Sequence, residues 1–147
     1  MEPLRIVIDT REQTAWNFPA ELATCRRAKL DAGDYAIDGD TRFAIERKTL
    51  DDFVGTISTG WPRFLRELGR MDAAGFVAKP IIVEADAAAI YAGRHNHPKV
   101  GAGFLLKRIS QLMLMNAPVY LAGNTAQAIG LAWQMLRERQ KQSDRKL

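Results

Sequence analysis

Apolar positions along this chain fall into short continuous runs at some places and helical stripes at others. Leu4 to Ile8 is a nearly unbroken apolar run and predicts a buried strand. Asp9 to Pro19 reads as a polar loop, with one helical turn at Glu21 to Ala23. Cys25 to Leu30, Tyr35 to Ile37 and Arg42 to Arg47 read as strands, the last two joined by the turn Asp38-Gly39-Asp40-Thr41. With Gly39 to Thr41 as a three-residue loop, Tyr35 pairs with Ile45 and Asp34 faces Glu46. A loop one residue longer or shorter would destroy that facing.

Helical spacing begins at Thr49, the expected N-cap, with Asp52 at the third position. Leu50, Phe53, Val54 and Ile57 form one i, i+3, i+4, i+7 stripe, closed by Thr59-Gly60. A second helix opens at Trp61-Pro62 and directs Phe64, Leu65, Leu68 and Met71 inward. Pro80 to Val83 is a core strand, Asp86 to Tyr91 a short helix, and Gly93 to Gly103 a loop with two histidines. Phe104 to Asn116 is a helix apolar on more than one face, and Val119 to Leu121 is a further strand. A last helix from Ala126 to Gln140 turns Ile129, Ala132, Trp133 and Leu136 inward. Strands first, then strands alternating with helices, predict an α/β fold with a mixed central sheet flanked by helices.

A length of 147 residues fits one domain with a core of its own, and 47% apolar with 26% charged residues is an ordinary globular composition. The polar, charged segment from Arg139 onward reads as a frayed basic tail, leaving residues 1–138 as the domain. No apolar run approaches a membrane span, and the first residues lead into a strand rather than a signal peptide. Cys25 is the only cysteine, which excludes a disulfide framework and a thiolate zinc site and fits a reducing, cytoplasmic setting.

The net charge of +4 turns attention to nucleic acid, and its distribution adds to that. Basic residues gather at Arg26, Arg27 and Lys29, at Arg94 to Lys99, at Lys107-Arg108 and in the tail. Acidic residues concentrate in the first 52 positions. That polarity suits an anionic pocket bordered by phosphate-binding surface, although a solvated basic face would look the same.

The candidate chemistry lies in Asp34 and, twelve residues on, Glu46-Arg47-Lys48. Side chains alternate along a strand, so Glu46 and Lys48 share one face while Phe43 and Ile45 take the other. Asp9 and Glu12, just past the first strand, bring the acids that can converge to four. Their mutual repulsion calls for a cation, and an all-oxygen donor set suits Mg²⁺ or Mn²⁺. Arg11 and Arg47 stand ready to clamp phosphate oxygens. Plainer roles exist for each: Asp9 as a strand-ending turn residue, Glu12 as a solvated loop acid, Asp34 as turn chemistry after Gly33, Asp52 as a helix-capping acid. Glu46 and Lys48 alone would make a structural ion pair. His95 and His97 have no third ligand nearby and read as surface residues or phosphate contacts.

Together Ile8-Asp9-Thr10-Arg11-Glu12, Ala32-Gly33-Asp34-Tyr35, Ile45 to Phe53 and Pro80 to Glu84 resemble the XPF-type nuclease domain of the PD-(D/E)XK superfamily, with its restriction-endonuclease-like fold. The signature Gly-Asp…Glu-Arg-Lys-x-x-x-Asp is complete in Gly33, Asp34, Glu46, Arg47, Lys48 and Asp52. The resemblance implies Mg²⁺- or Mn²⁺-dependent endonucleolytic cleavage of DNA, often at branches or junctions. It makes Asp34 and Glu46 metal ligands, Lys48 the catalytic lysine, and Asp9 and Glu12 further members of the acidic pocket. Arg11 and Arg47 contact phosphate or hold the site together, Arg63 becomes a DNA contact, Asp52 a supporting residue, and a homodimer through the apolar helices the expected assembly. Two departures stand out. Trp61-Pro62 separate Gly60 from Arg63, with Glu67 where a Gln is expected, and no tandem helix-hairpin-helix module follows. A stand-alone DNA endonuclease is therefore the leading expectation. A catalytically silent DNA-binding or partner subunit and an RNA nuclease are the alternatives.

Overall fold

The computed structural model describes residues 2–145. Strand β1 (Leu4–Asp9) lies parallel to β2 (Ala23–Ala28) and antiparallel to β3 (Tyr35–Ile37). Strand β4 (Glu46–Lys48) pairs in parallel with β5 (Ile81–Val83), which pairs in parallel with β6 (Val119–Leu121). The two three-stranded sheets, ordered β2-β1-β3 and β4-β5-β6, meet at one antiparallel bridge between Tyr35 and Ile45. That pairing is the expected register, and it sets Asp34 across from Glu46. The connection behind it is wider than a three-residue hairpin loop. Ile37 pairs with Ile6 and Phe43 with Ala78, and no bridge joins Ile37 to Phe43. The predicted strand from Arg42 is thus regular only over Glu46–Lys48.

Strand β5 shows how the sheet is covered, because its alternating side chains enter two different cores. Ile82 packs with β1, Tyr35, Trp16 and Phe18 under α5 (Thr125–Arg145), through Ala128, Ala132, Trp133 and Leu136. Ile81 and Val83 pack with α1 (Leu50–Ile57), α2 (Trp61–Ala73) and α4 (Ala102–Leu114), beside the short α3 (Ala87–Tyr91). The outcome is a mixed α/β sheet with helices on both faces, as the sequence predicts. Among the described residues no helix is long and apolar enough to cross a membrane.

Helix α1 buries Leu50, Phe53, Val54 and Ile57, and the Thr49 hydroxyl accepts the Asp52 backbone N–H at its N-terminus, both as expected. Several elements differ. Ala23 belongs to β2 rather than to a helical turn, and β2 stops at Ala28, short of Leu30. In α2, Leu65 turns away from the buried side that holds Phe64, Leu68 and Met71. The last helix runs to Arg145, past Gln140, and Arg139 pairs with Asp40 at 2.7 Å, so the expected frayed tail is helical that far. Lys146 and Leu147 lie outside the described residues. Helix α4 buries only Leu105 and Leu112, leaving Met113 and Leu114 exposed.

Candidate metal-dependent nuclease site

Gly33 begins the site. Its φ of +77° is a left-handed conformation, and a Cβ there would stand 2.5 Å from the Ala44 Cβ, so only glycine lets the two chains approach so closely. The approach is fixed by the Asp34 and Tyr35 N–H groups donating to the Ile45 carbonyl at 2.9 and 3.2 Å, with Ile45 N–H returning to Tyr35 O at 2.8 Å. Asp34 is thereby held at the joint of the two sheets, and its Oδ2 accepts the Arg47 backbone N–H at 2.8 Å.

Alternation along β4 then separates three side chains by function. Glu46 and Lys48 open onto a groove of about 680 Å³ between α1, the start of α2 and the Asn96-His97 loop. Lys48 Nζ stands 3.6 Å from Glu46 Oε1, each side chain retaining 23% exposure. Burial is the main force on both carboxyls, pushing Asp34 up to about 6 and Glu46 up to about 8. Neighbouring acids push the same way, Glu12 and Asp9 on Asp34, and Asp34 and Glu67 on Glu46, while Lys48 opposes. The pocket thus disfavours its own ionised carboxylates, and a bound cation would reverse that imbalance.

That imbalance is the test of fit for a metal. Among the described residues no three His, Cys, Asp or Glu side chains form a complete cage. Mg²⁺ needs none, since it keeps several waters and binds through one or two carboxylates together with substrate phosphate. Asp34 and Glu46 fit that donor set.

Asp9 and Glu12 point elsewhere. Asp9 is fully buried, and its oxygens accept from Arg11 Nε at 2.6 Å, Arg11 N at 3.2 Å and Leu30 N at 2.8 Å. Burial works to raise its pKa, yet these bonds hold the carboxyl below the usual range. Glu12 accepts from Tyr35 Oη at 2.8 Å and lies 3.4 Å from the Arg47 guanidinium. Both acids act on Asp34 through their charge while spending hydrogen-bonding capacity on protein donors.

Arg47 faces away from the groove, as its odd position in β4 dictates. Its guanidinium binds Glu84, donates to Thr14 O at 2.6 Å and stacks over Trp16 at 5.0 Å. Arg47 therefore holds the site together instead of reaching for phosphate. Glu84 also accepts from Thr125 Oγ1 at 2.5 Å and Trp16 Nε1 at 3.3 Å. The sequence alone assigns it no role, although it closes the Pro80 to Glu84 segment of the family resemblance and ends an apolar run, as Asp9 ends the run Leu4 to Ile8. Arg11 is largely exposed, close enough to feel Asp34 and Glu46. Arg63 lines the groove with its side chain exposed. Asp52 lines it too, at the N-terminal turn of α1. His97 Nε2 meets Asp51 O at 3.1 Å and His95 Nδ1 accepts the His97 N–H, so both imidazoles serve the loop.

Residues 8–129 match the family model described as the ERCC4 domain. The chain belongs to the ERCC4 domain family. Among solved structures, this ERCC4 domain is similar to XPF from Aeropyrum pernix, with a TM-score of 0.68 and 19% identity over 92% of this chain and 61% of that one. It is likewise similar to XPF from Aeropyrum pernix in complex with DNA, with a TM-score of 0.68 and 20% identity, covering 94% and 66%. The ERCC4 domain thus spans about two thirds or less of those solved chains, and at that identity the likeness establishes the fold. No curated protein matches it in sequence. Family and fold together identify an XPF-type nuclease domain.

Proposed function

We propose that this ERCC4 domain is a divalent-metal-dependent endonuclease that hydrolyses DNA phosphodiester bonds. The observation that carries the reading is a pair of facing carboxyls held at elevated pKa, Asp34 at the joint of the two sheets and Glu46 beside Lys48 at the wall of an open groove. A merely structural acid in an apolar setting would be matched by its own donors, as Asp9 is. Asp34 and Glu46 would hold Mg²⁺ or Mn²⁺. The bound ion supplies Lewis-acid polarisation of the scissile phosphate, activation of water and charge compensation in the transition state.

The protein's own contribution is geometric and electrostatic. The Arg47 N–H fixes one oxygen of Asp34, leaving Oδ1 to ligate. Lys48 brings a fixed positive charge to the same face as Glu46, where it can orient the attacking water or bind a phosphate oxygen. Arg11 and Arg63 flank the acids and suit phosphate oxygens on either side of the cleaved bond.

The test is cleavage of labelled duplex, single-stranded, flap and four-way junction DNA, and of matched RNA, with Mg²⁺, Mn²⁺, Ca²⁺ or EDTA. Cleavage of DNA in Mg²⁺ and Mn²⁺, weak in Ca²⁺ and absent in EDTA, is expected. Glu46→Gln, Asp34→Asn and Lys48→Ala should each reduce it by roughly a thousandfold. Robust cutting in EDTA, or a fully active Glu46→Gln, refutes the reading. Cleavage confined to RNA turns the reading to the alternative substrate.

The same domain is proposed to assemble as a homodimer. Helix α4 exposes Phe104, Leu106, Met113 and Leu114, and a second copy would cover them. Trp133 contributes nothing to that surface, since it is buried and its indole N–H donates to Leu22 O at 3.1 Å.

A further inference from the structure

Helix α2 carries Arg63, Arg66 and Arg70, all exposed, and none enters an ion pair among the described residues. At 3.6 residues per turn the three fall within an arc of about 60°. The arc lies beside the buried row Phe64, Leu68 and Met71, with Glu67 between the two. Like charges at i, i+3 and i, i+4 weaken a helix, and Glu67 makes no ion pair with any of them. An uncompensated basic stripe of this kind is complementary to a polyanion.

Its position says which polyanion and where. Arg63 lines the groove that holds Glu46 and Lys48, and Arg70 lies seven residues, about 10 Å, farther along the helix axis. The groove itself is acidic, since Glu46, Asp51, Asp52 and Glu67 outnumber Lys48 and Arg63 along it. A phosphodiester chain running down its floor would be repelled along most of the way. The opposite wall is no better. Asn96 donates to both Asp51 carboxylate oxygens, at 2.7 and 2.9 Å, so that wall is built around an acid.

Resting on the endonuclease reading above, we infer that α2 is the rail for the substrate. The backbone of a duplex DNA arm lies along Arg63, Arg66 and Arg70 on the outer rim, and only the scissile phosphate enters the groove toward Lys48. Successive phosphates on one strand are matched by arginines spread over about 10 Å, and the rail leads away from the acids.

The experiment is binding of a labelled DNA duplex in EDTA, where no cleavage occurs and no divalent ion competes, from 50 to 200 mM monovalent salt. Wild type is compared with Arg66→Gln/Arg70→Gln and with Arg94→Gln/Lys99→Gln, which removes two exposed charges flanking the Asn96-His97 loop of the opposite wall. Glutamine is a good helix former, and circular dichroism verifies that α2 persists. Each lost phosphate contact lowers the salt slope by about 0.9, so the α2 variant should lose about 1.8 in slope. Over that fourfold salt range this means about tenfold less salt-driven weakening than wild type. The opposite-wall variant should keep the wild-type slope. An unchanged slope in the α2 variant, an equal fall in the other, or a fall seen only with RNA overturns the rail. Wild-type binding with no cleavage in Mg²⁺ overturns the endonuclease reading and leaves the rail standing.

Discussion

Glu46→Gln should stabilise the metal-free protein, and more so as pH rises. The Glu46 carboxyl is pushed up to about 8 in the folded chain, chiefly by burial, against an unfolded value near 4.3. The folded state therefore binds the proton more tightly than the unfolded state does. Stability is fully present below about pH 4.3, falls as pH rises toward about 8, and levels off above it. A shift of three to four units at 1.36 kcal/mol each sets a ceiling of about 5 kcal/mol. The side chain keeps 23% exposure and shares the repulsion with Asp34, so about 2 kcal/mol is the expected loss at pH 8. For a chain of this length that is roughly 4–8 °C in Tm. The isosteric amide removes the titration while its oxygen still faces Lys48. Thermal melts by circular dichroism in EDTA should show the variant level with wild type at pH 5 and about 4–8 °C above it at pH 8. Adding Mg²⁺ at pH 8 should raise wild type and leave the variant nearly unmoved. A variant that melts at or below wild type at pH 8, or an equal Mg²⁺ shift in both, would refute the account of this carboxyl as an uncompensated charge awaiting a cation.

Three further outcomes follow from the packing. Arg47→Ala should lower stability by about 3–5 kcal/mol in denaturant titrations, because it takes the shared cation from Glu84 and Glu12 and the stacking partner from Trp16. Thr49→Ala should cost about 1 kcal/mol by deleting the α1 cap, whereas Asp52→Asn should cost only about 0.3–1 kcal/mol through the helix dipole, both read as shifts in denaturation midpoint. Should Asp52→Asn abolish cleavage at unchanged midpoint, its role lies in the groove rather than in the cap. Leu114→Glu and Met113→Glu, at the two most exposed apolar positions of α4, should give folded monomers by sedimentation, and a wild-type monomer at tens of micromolar would remove the dimer.

What the sequence disclosed was governed by local periodicity. The α1 stripe, the Thr49 cap and the shared face of Glu46 and Lys48 all depend on spacing within a few residues, and all are found. The facing of Asp34 and Glu46 was legible through one register choice, although the loop assumed for it is wider. The partners that occupy Asp9, Glu12 and Arg47 were not legible, although a role in holding the site together was among the readings for Arg47. Asp9 is occupied partly by the backbone of Leu30 and Arg47 by Glu84, partners 21 and 37 residues away that only the folded sheet brings near. Glu67 was read as a departure from a DNA-contact pattern, and its nearness to Glu46 needed the packing of α2 against β5. The exposed side of α4 was likewise hidden, since apolar composition does not say which residues a neighbour covers.

The single bridge between Tyr35 and Ile45 makes the two halves of the sheet separable in principle, and it divides the two carboxyls between them. Asp34 adjoins β3 on one side and Glu46 begins β4 on the other. Any group gripping both acids therefore acts as a weld across the joint, opposing a partial opening that leaves each half intact. Amide hydrogen exchange would register this locally. The protons of Asp34, Tyr35 and Ile45 should exchange more slowly once Mg²⁺ is present, while those inside α5, remote from the joint, keep their rates. An ion held by both acids would then also govern how often the domain breathes.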